Sequence, residues 1–234
     1  MDLVQTTLLL SEWGSSSMNG ILQEMPFMDL PPENALQKAY DMLVDLEALE
    51  EYQAAQSKQL RYRITDHGRH IVRLGTHPRF STCMVRAEKS RDSATLAAAV
   101  TVAALLDEEM GGGGDSNLAV RVRDILQSGD RSIQGRNVVQ YASRISAKAR
   151  TAVLDAMNSS LSYQKVTDQI GRALLLGFID LVAQRKGDES YGGSLYMLSL
   201  GRSARLDGKR EEGEVTMVKL AYVHTQKLRM ANRR

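Results

Sequence analysis

Five basic residues lie close together in the chain and are of the types that bind phosphate groups. They are Arg131, Arg136, Arg144, Lys148 and Arg150. All five fall on a predicted helix, residues 134–158, or on its approach. Arg and Lys side chains grip a sugar-phosphate backbone without reading base sequence. The cluster therefore predicts a nucleic-acid contact surface, whereas an ordinary solvated helix face explains the same residues without any ligand.

The sequence contains no recognisable nucleotide-binding motif. There is no G-x-x-x-x-G-K-[ST] stretch, and the four glycines at 111–114 lack the lysine and hydroxyl that grip phosphates and magnesium. The acidic triplet at 107–109 follows an alanine-rich segment rather than a buried strand, so we interpret it as a solvated helix end. We expect no catalytic residue and no cofactor site in this chain.

The sequence gives little support for a metal site. His67, His70, His77 and Cys83 are close in sequence, but their spacing matches no familiar zinc pattern. Cys83 is the single cysteine, which excludes an internal disulfide and fits a reducing compartment. We expect no metal ligands and an intracellular protein, with cytoplasm, nucleus and organelle all open.

Composition and charge limit the classes of protein to which this chain can belong. The 234 residues are 43% hydrophobic and 25% charged, which is typical of globular chains. The longest nearly unbroken apolar run, 96–106, is too short to span a membrane, so we expect a soluble protein with no membrane partner. Residues 1–57 contain ten acidic residues and one basic residue, which gives a net charge of −9. The remainder contains 18 acidic and 29 basic residues, which gives a net charge of +11. A positive field over most of the chain favours a polyanion as partner.

Hydrophobic periodicity predicts a mainly α chain. The predicted helices cover 33–48, 65–74, 79–87, 91–109, 117–128, 134–158 and 163–186. The last of these ends with Arg185, Lys186 and Gly187, which suit a helix C-terminus. Alternating residues predict strands at 60–64, 194–200 and 214–220, with a polar turn at 207–213 between the last two. This order predicts a winged helix followed by a helical bundle, with a small β-rich C-terminal segment.

Ordered short motifs resemble the region that follows the motor domains of DEAH-type ATP-dependent helicases. The motifs, in chain order, are Trp13-Gly14, Asp29-Leu30-Pro31-Pro32, Leu46-Glu47-Ala48-Leu49, Ile64-Thr65-Asp66-His67-Gly68-Arg69 and Leu74-Gly75-Thr76-His77-Pro78-Arg79. Within that group the chain is most similar to the HrpB type. Two later segments, residues 183–187 and 201–204, also resemble that type.

The resemblance implies a division of the chain. It implies a connector from the motor region at 1–27, a winged-helix domain at 28–79, a helicase-associated helical bundle at 80–190 and a partial β-rich segment at 191–234. ATP and magnesium would belong to motor domains that this chain does not contain, so the chain alone is expected to be inactive as an ATPase. The implied partners are those motor domains and single-stranded nucleic acid, taken as RNA.

Two other functions fit parts of the sequence. One is a stand-alone winged-helix DNA-binding protein, although its best recognition helix, 33–48, has Lys38 as its only basic residue and would be repelled by phosphates. The other is a protein-docking scaffold built on the alanine-rich bundle. Salt dependence separates the scaffold from nucleic-acid binding, because only phosphate contacts weaken steeply with salt.

Overall fold

The chain is described from a computed structural model. The structure describes residues 2–15, 17–24, 27–53, 60–107, 117–160, 162–188, 193–198 and 203–207. It divides into two compact units, Met1–Val85 and Arg86–Arg234. Helices make up most of the described residues, which confirms the predicted mainly α class. The domain boundaries expected within the chain stay predictions.

The first unit combines helices with one small hairpin. Its elements are α1 (Val4–Glu12), α2 (Met18–Glu24), α3 (Glu33–Asp45), β1 (Leu49–Gln53), β2 (Leu60–Ile64), α4 (Asp66–Leu74) and the first turns of α5 (Pro78–Lys89). Strands β1 and β2 pair in antiparallel register from Leu49 opposite Ile64 to Gln53 opposite Leu60. The strand predicted at 60–64 and the helices predicted to start near 33, 65 and 79 are confirmed.

Helix α3 ends three residues earlier than predicted because the backbone reverses at Glu47. Glu47 has a φ of 59°, in the left-handed region. The backbone N–H of Ala48 donates to Leu43 O at 2.8 Å and that of Glu47 donates to Val44 O at 2.8 Å. This pair of hydrogen bonds is the Schellman arrangement, which satisfies the last helix carbonyls and releases the chain into β1.

A single apolar cluster holds the first unit together. The rings of Tyr40 on α3 and Tyr62 on β2 stack with centroids 4.0 Å apart. Leu8 from α1, Leu43 from α3 and Ile71 from α4 are also fully buried in this cluster. Helices α1, α3 and α4 therefore each contribute apolar side chains to a shared core.

The start of α4 explains the spacing of threonine and glycine in its motif. Thr65 Oγ1 accepts the backbone N–H of Gly68 at 2.9 Å and donates to Glu47 O at 2.7 Å. A Cβ at position 68 would overlap Ala48 O, closer than real Cβ atoms approach another atom. The threonine caps the helix, and glycine three residues later lets that helix pack on the turn before β1.

The second unit is a helical bundle with a small sheet. Its elements are the last turn of α5, α6 (Ser93–Asp107), α7 (Leu118–Ser128), α8 (Ile133–Ile145), α9 (Ala147–Asn158), α10 (Tyr163–Leu175), β3 (Ala183–Asp188), β4 (Gly193–Leu198) and β5 (Ser203–Asp207). Helix α6 contacts α7, α8, α9 and α10. The sheet has the order β3-β4-β5 and is antiparallel throughout.

Two predicted helices of this unit differ from the structure. The single helix predicted at 134–158 is two helices, α8 and α9. The helix predicted at 163–186 ends at Leu175, so Arg185, Lys186 and Gly187 lie in strand β3 instead of a helix C-terminus. Antiparallel pairing of β3 with β4, the next strand in the chain, overrides the helical pattern there. The strand β5 was not predicted, whereas the glycines at 111–114 and the strand at 214–220 lie outside the described residues.

Gly68→Ala tests the close approach at α4. The added methyl group must displace the Ala48 carbonyl, so we expect the free energy of unfolding to fall by about 1–3 kcal/mol. The matched control is Gly171→Ala in α10, where nothing lies within 4 Å of the added Cβ. Because alanine favours helix, this control should gain about 0.5–1 kcal/mol. Urea unfolding followed by circular dichroism measures both, and equal effects would contradict this role of Gly68.

The stability of the first unit is expected to fall in acid because of Asp2. The Asp2 carboxylate accepts a hydrogen bond from His77 Nε2 at 3.0 Å and another from the Val4 backbone N–H at 3.0 Å. Mainly because of the His77 hydrogen bond, the pKa of Asp2 falls from its ordinary value of 3.8 to about 2. A lowered folded-state pKa adds stability that is complete above the unfolded value and is lost as pH falls through the folded value.

The wild type should therefore lose more stability than Asp2→Asn as pH falls from about 4 to 2. Asp2 is more than half exposed, so we expect the difference to stay below about 1 kcal/mol. Urea unfolding of the two proteins across this pH range measures it. Parallel pH profiles would show that the Asp2–His77 contact contributes nothing to stability.

Candidate nucleic-acid interface

Arg131 and Arg136 are brought together by a tight turn between α7 and α8. A 3₁₀ turn, Gly129–Arg131, connects the two helices, and both arginines are exposed. Arg136 Nη1 donates to the backbone carbonyls of Asp130 at 3.2 Å and Arg131 at 3.1 Å. These contacts hold the guanidinium of Arg136 beside the turn, so part of its donor capacity is used within the protein.

Arg144 lies in the last turn of α8 and stacks on a buried ring. Its guanidinium carbon is 5.3 Å from the centroid of Tyr141, which lies one helical turn earlier. Tyr141 itself is buried, whereas Arg144 is exposed. A cation over an aromatic face is attracted by the ring quadrupole, which restricts the directions that this guanidinium takes.

Ser146 separates α8 from α9. Its φ of −166° and ψ of 161° are extended, and its side chain accepts the Ala149 backbone N–H at 3.0 Å, so the serine is the N-cap of α9. Arg144 and Lys148 therefore lie on different helices instead of on consecutive turns of one. The predicted basic stripe is split at this point.

Lys148 and Arg150 point to different sides of α9. Two residues along an α-helix correspond to a rotation of about 200°, so the two side chains leave nearly opposite faces. Lys148 Nζ is 3.4 Å from Glu88 Oε1 on α5. Lys148 is 77% exposed and Glu88 33% exposed, so the pair is at the surface. Arg150 is exposed.

A cavity of about 520 Å³ lies beside the Lys148–Glu88 pair. Its residues come from the end of α5, the turn into α6, the first turn of α6 and one face of α9: Ala87, Glu88, Arg91, Asp92, Ser93, Leu96, Ala147, Lys148, Thr151, Ala152 and Asp155. The lining contains three carboxylates and two cationic groups. Its surroundings therefore repel a phosphate more than the outer surfaces of α8 do.

One of these carboxylates, Asp92, is committed to capping α6. Its Oδ2 accepts the Thr95 hydroxyl at 2.6 Å and its Oδ1 accepts the Thr95 backbone N–H at 3.1 Å. The hydrogen bonds from Thr95 hold the pKa of Asp92 below its ordinary value. Asp92 thus stays ionised and adds negative charge to the cavity.

The structure also joins residues that the sequence analysis did not connect. The guanidinium carbon of Arg123 on α7 lies 5.7 Å from the ring centroid of Tyr163 at the start of α10. Asn117 Nδ2 donates to the hydroxyl of Tyr163 at 2.9 Å. These contacts tie the beginnings of α7 and α10 together. The sequence does not indicate the contact between Arg123 and Tyr163, because the two residues are 40 positions apart.

Clusters of metal-ligating side chains and helices able to span a bilayer are both absent from the described residues. No group of three or more His, Cys, Asp or Glu side chains among the described residues is arranged to hold a metal ion. No helix there is both long enough and apolar enough to cross a bilayer. The candidate site consists of the basic side chains on α8, α9 and the preceding turn, and its role stays a prediction.

The architecture is similar to that of a DEAH/RHA helicase. The solved structure in question is Escherichia coli HrpB, with a TM-score of 0.57 and 25% sequence identity. The match covers 91% of this chain and 22% of the helicase chain. No protein-family model matches the chain, and no curated protein matches it.

This similarity supports a helicase C-terminal-like region, in line with the resemblance seen in the sequence motifs. The present chain spans about a fifth of the length of the helicase it matches. The similarity extends over nearly all of this chain, so both of its compact units contribute to it.

Ser146→Ala tests the break between α8 and α9. Removing the hydroxyl leaves the Ala149 N–H without its side-chain partner, so we expect a loss of about 0.5–2 kcal/mol in the free energy of unfolding. Ser143→Ala is the matched control, since that hydroxyl only donates back to Val139 O within α8 at 2.8 Å. Alanine favours helix, so the control should be neutral or slightly stabilising. Equal losses in urea unfolding would contradict the capping role of Ser146.

Proposed function

We propose that this chain is a C-terminal accessory segment of an HrpB-like ATP-dependent RNA helicase and that it contacts single-stranded nucleic acid. The observation that carries the proposal is the similarity to the E. coli helicase HrpB over 91% of the chain. Sequence motifs at the winged-helix positions support it independently. The exposed basic residues of the second unit give the proposal a chemical basis.

Strand contact would come from exposed cations on the outer surfaces of the bundle. Arg131, Arg144 and Arg150 are exposed, and each offers planar donors suited to phosphate oxygens. Contacts of this kind recognise the backbone and tolerate any base sequence, as a translocating helicase requires. Backbone carbonyls engage Arg136 and Glu88 engages Lys148, so part of the donor capacity of these two residues is used within the protein.

The chemical step would belong to another part of the helicase. We infer that ATP and magnesium bind motor domains outside this chain, because its sequence has no phosphate-binding loop. In this proposal the first unit is a winged helix, with β1 and β2 as its hairpin and α4 following the hairpin. Its role would be to couple the motor domains to the bundle.

Exposed apolar side chains in the first unit support motor domains as the partner. Trp13, Met28 and Leu30 are large and exposed, and all precede or flank the proline pair that leads into α3. Large apolar groups left in solvent commonly mark a protein interface. The acidic character of residues 1–57 also makes this part of the chain unsuited to nucleic acid.

Arg144→Gln and Arg150→Gln, alone and together, test the strand contact. Each substitution removes one cation, so we expect the double variant to bind single-stranded RNA on the order of ten-fold more weakly at about 50 mM salt. The slope of log affinity against log salt should become shallower by about 0.7 for each lost contact. Fluorescence anisotropy with a labelled RNA across a salt series measures both quantities.

Arg73→Gln is the matched control, because it removes an exposed arginine from α4 in the first unit. Its affinity and salt slope should match the wild type. A control variant that weakens binding as much as the double variant would show a general charge effect instead of a defined surface. Salt-insensitive binding, or ATP hydrolysis by the purified chain, would contradict the proposed function.

A further inference from the structure

Lys148, which is predicted to bind phosphate, forms an ion pair with Glu88. The carboxylate of Glu88 carries negative oxygens, as a phosphate does. Lys148 lies in the first turn of α9, and Glu88 lies in the last turn of α5, 60 positions away in the chain. Their charged atoms are 3.4 Å apart. A lysine ammonium is a compact point charge that attracts both a phosphate oxygen and this carboxylate oxygen, so the two anions compete for it.

The surroundings of Lys148 strengthen the competition. Asp92 and Asp155 line the same cavity as the pair, and Asp92 is held ionised by Thr95. A phosphate that approaches Lys148 therefore meets several negative charges, whereas Arg150 leaves nearly the opposite side of α9. The cavity face of α9 is thus less favourable for a nucleic-acid strand than the face that carries Arg150.

We propose that Glu88 is an intramolecular competitor that withholds Lys148 from nucleic acid and so sets the affinity of the bundle for a strand. This inference rests on the proposed function and concerns the regulation of the same surface. The pair is exposed, so its strength is that of a surface ion pair, and a strand can displace it. The carboxylate then returns to solvent, and no covalent change takes place.

Glu88→Gln tests the proposal in the full chain with labelled single-stranded RNA. The neutral amide frees Lys148, so affinity at about 50 mM salt should rise about two- to five-fold, the range that a surface ion pair allows. The salt slope should change by less than the value of about 0.7 expected for one phosphate contact, because the strand also reaches Lys148 in the wild type once it displaces Glu88. In a Lys148→Met background, Glu88→Gln should change neither quantity beyond the effect of the control.

Asp155→Asn is the matched control, since it removes one negative charge from the same cavity without breaking the pair. It should raise affinity less than Glu88→Gln and leave the salt slope unchanged. Circular dichroism and urea unfolding establish that each variant is folded. If Glu88→Gln resembles Asp155→Asn, or keeps its full effect in the Lys148→Met background, the competition is overturned.

The two proposals fail in distinguishable ways. Salt-dependent binding by the wild type with no effect of Glu88→Gln would overturn the competition and leave the proposed function standing. Absence of salt-dependent binding by both the wild type and Glu88→Gln would overturn both. An affinity gain that disappears with Lys148→Met supports both.

Discussion

The close packing of α6 is the constraint on which the second unit depends. Every residue from Thr95 to Leu105 is buried, and five of these are alanines. A helix that is apolar on all sides must be surrounded, and short side chains let its neighbours approach closely. Helices α7, α8, α9 and α10 all contact it. Because their apolar stripes turn inward to this one helix, their polar stripes face outward and carry the basic residues.

The same packing decides which basic residues share a surface. Buried Val138 and Tyr141 on α8, and buried Ala149 and Val153 on α9, fix the rotation of the two helices. That rotation directs Lys148 to Glu88 and the cavity, and it leaves Arg150 on another face. A cluster that is compact in sequence thus becomes several surfaces of different electrostatic character. Affinity for a polyanion would depend on their balance and not on the number of cations.

Local chemistry made part of the fold predictable. Thr65 caps α4, Gly75 ends it with a φ of 66°, and Pro78 opens α5, so these boundaries followed from residue types with known backbone preferences. The break at Ser146 was missed, because apolar residues continue at helical spacing on both sides of it. Its N-cap serine was the available signal.

Contacts between separate elements made the rest unpredictable. The segment at 183–188 has a helix-like local pattern, and only its pairing with β4 makes it a strand. Within the candidate site, the basic residue types were readable, but Glu88 had no local signal because its partner is 60 positions away. Sequence therefore predicted which residues carry positive charge, whereas packing determines which of them are already paired.

If the proposed function holds, a nucleic-acid strand contacts the outer surfaces of α8, α9 and the turn before them. Photo-crosslinking of a single-stranded RNA carrying 4-thiouridine, followed by mass spectrometry of the linked peptides, tests this directly. We expect crosslinks to concentrate in residues 131–150 and to disappear at high salt. Crosslinks confined to the first unit, or crosslinks unaffected by salt, would contradict it.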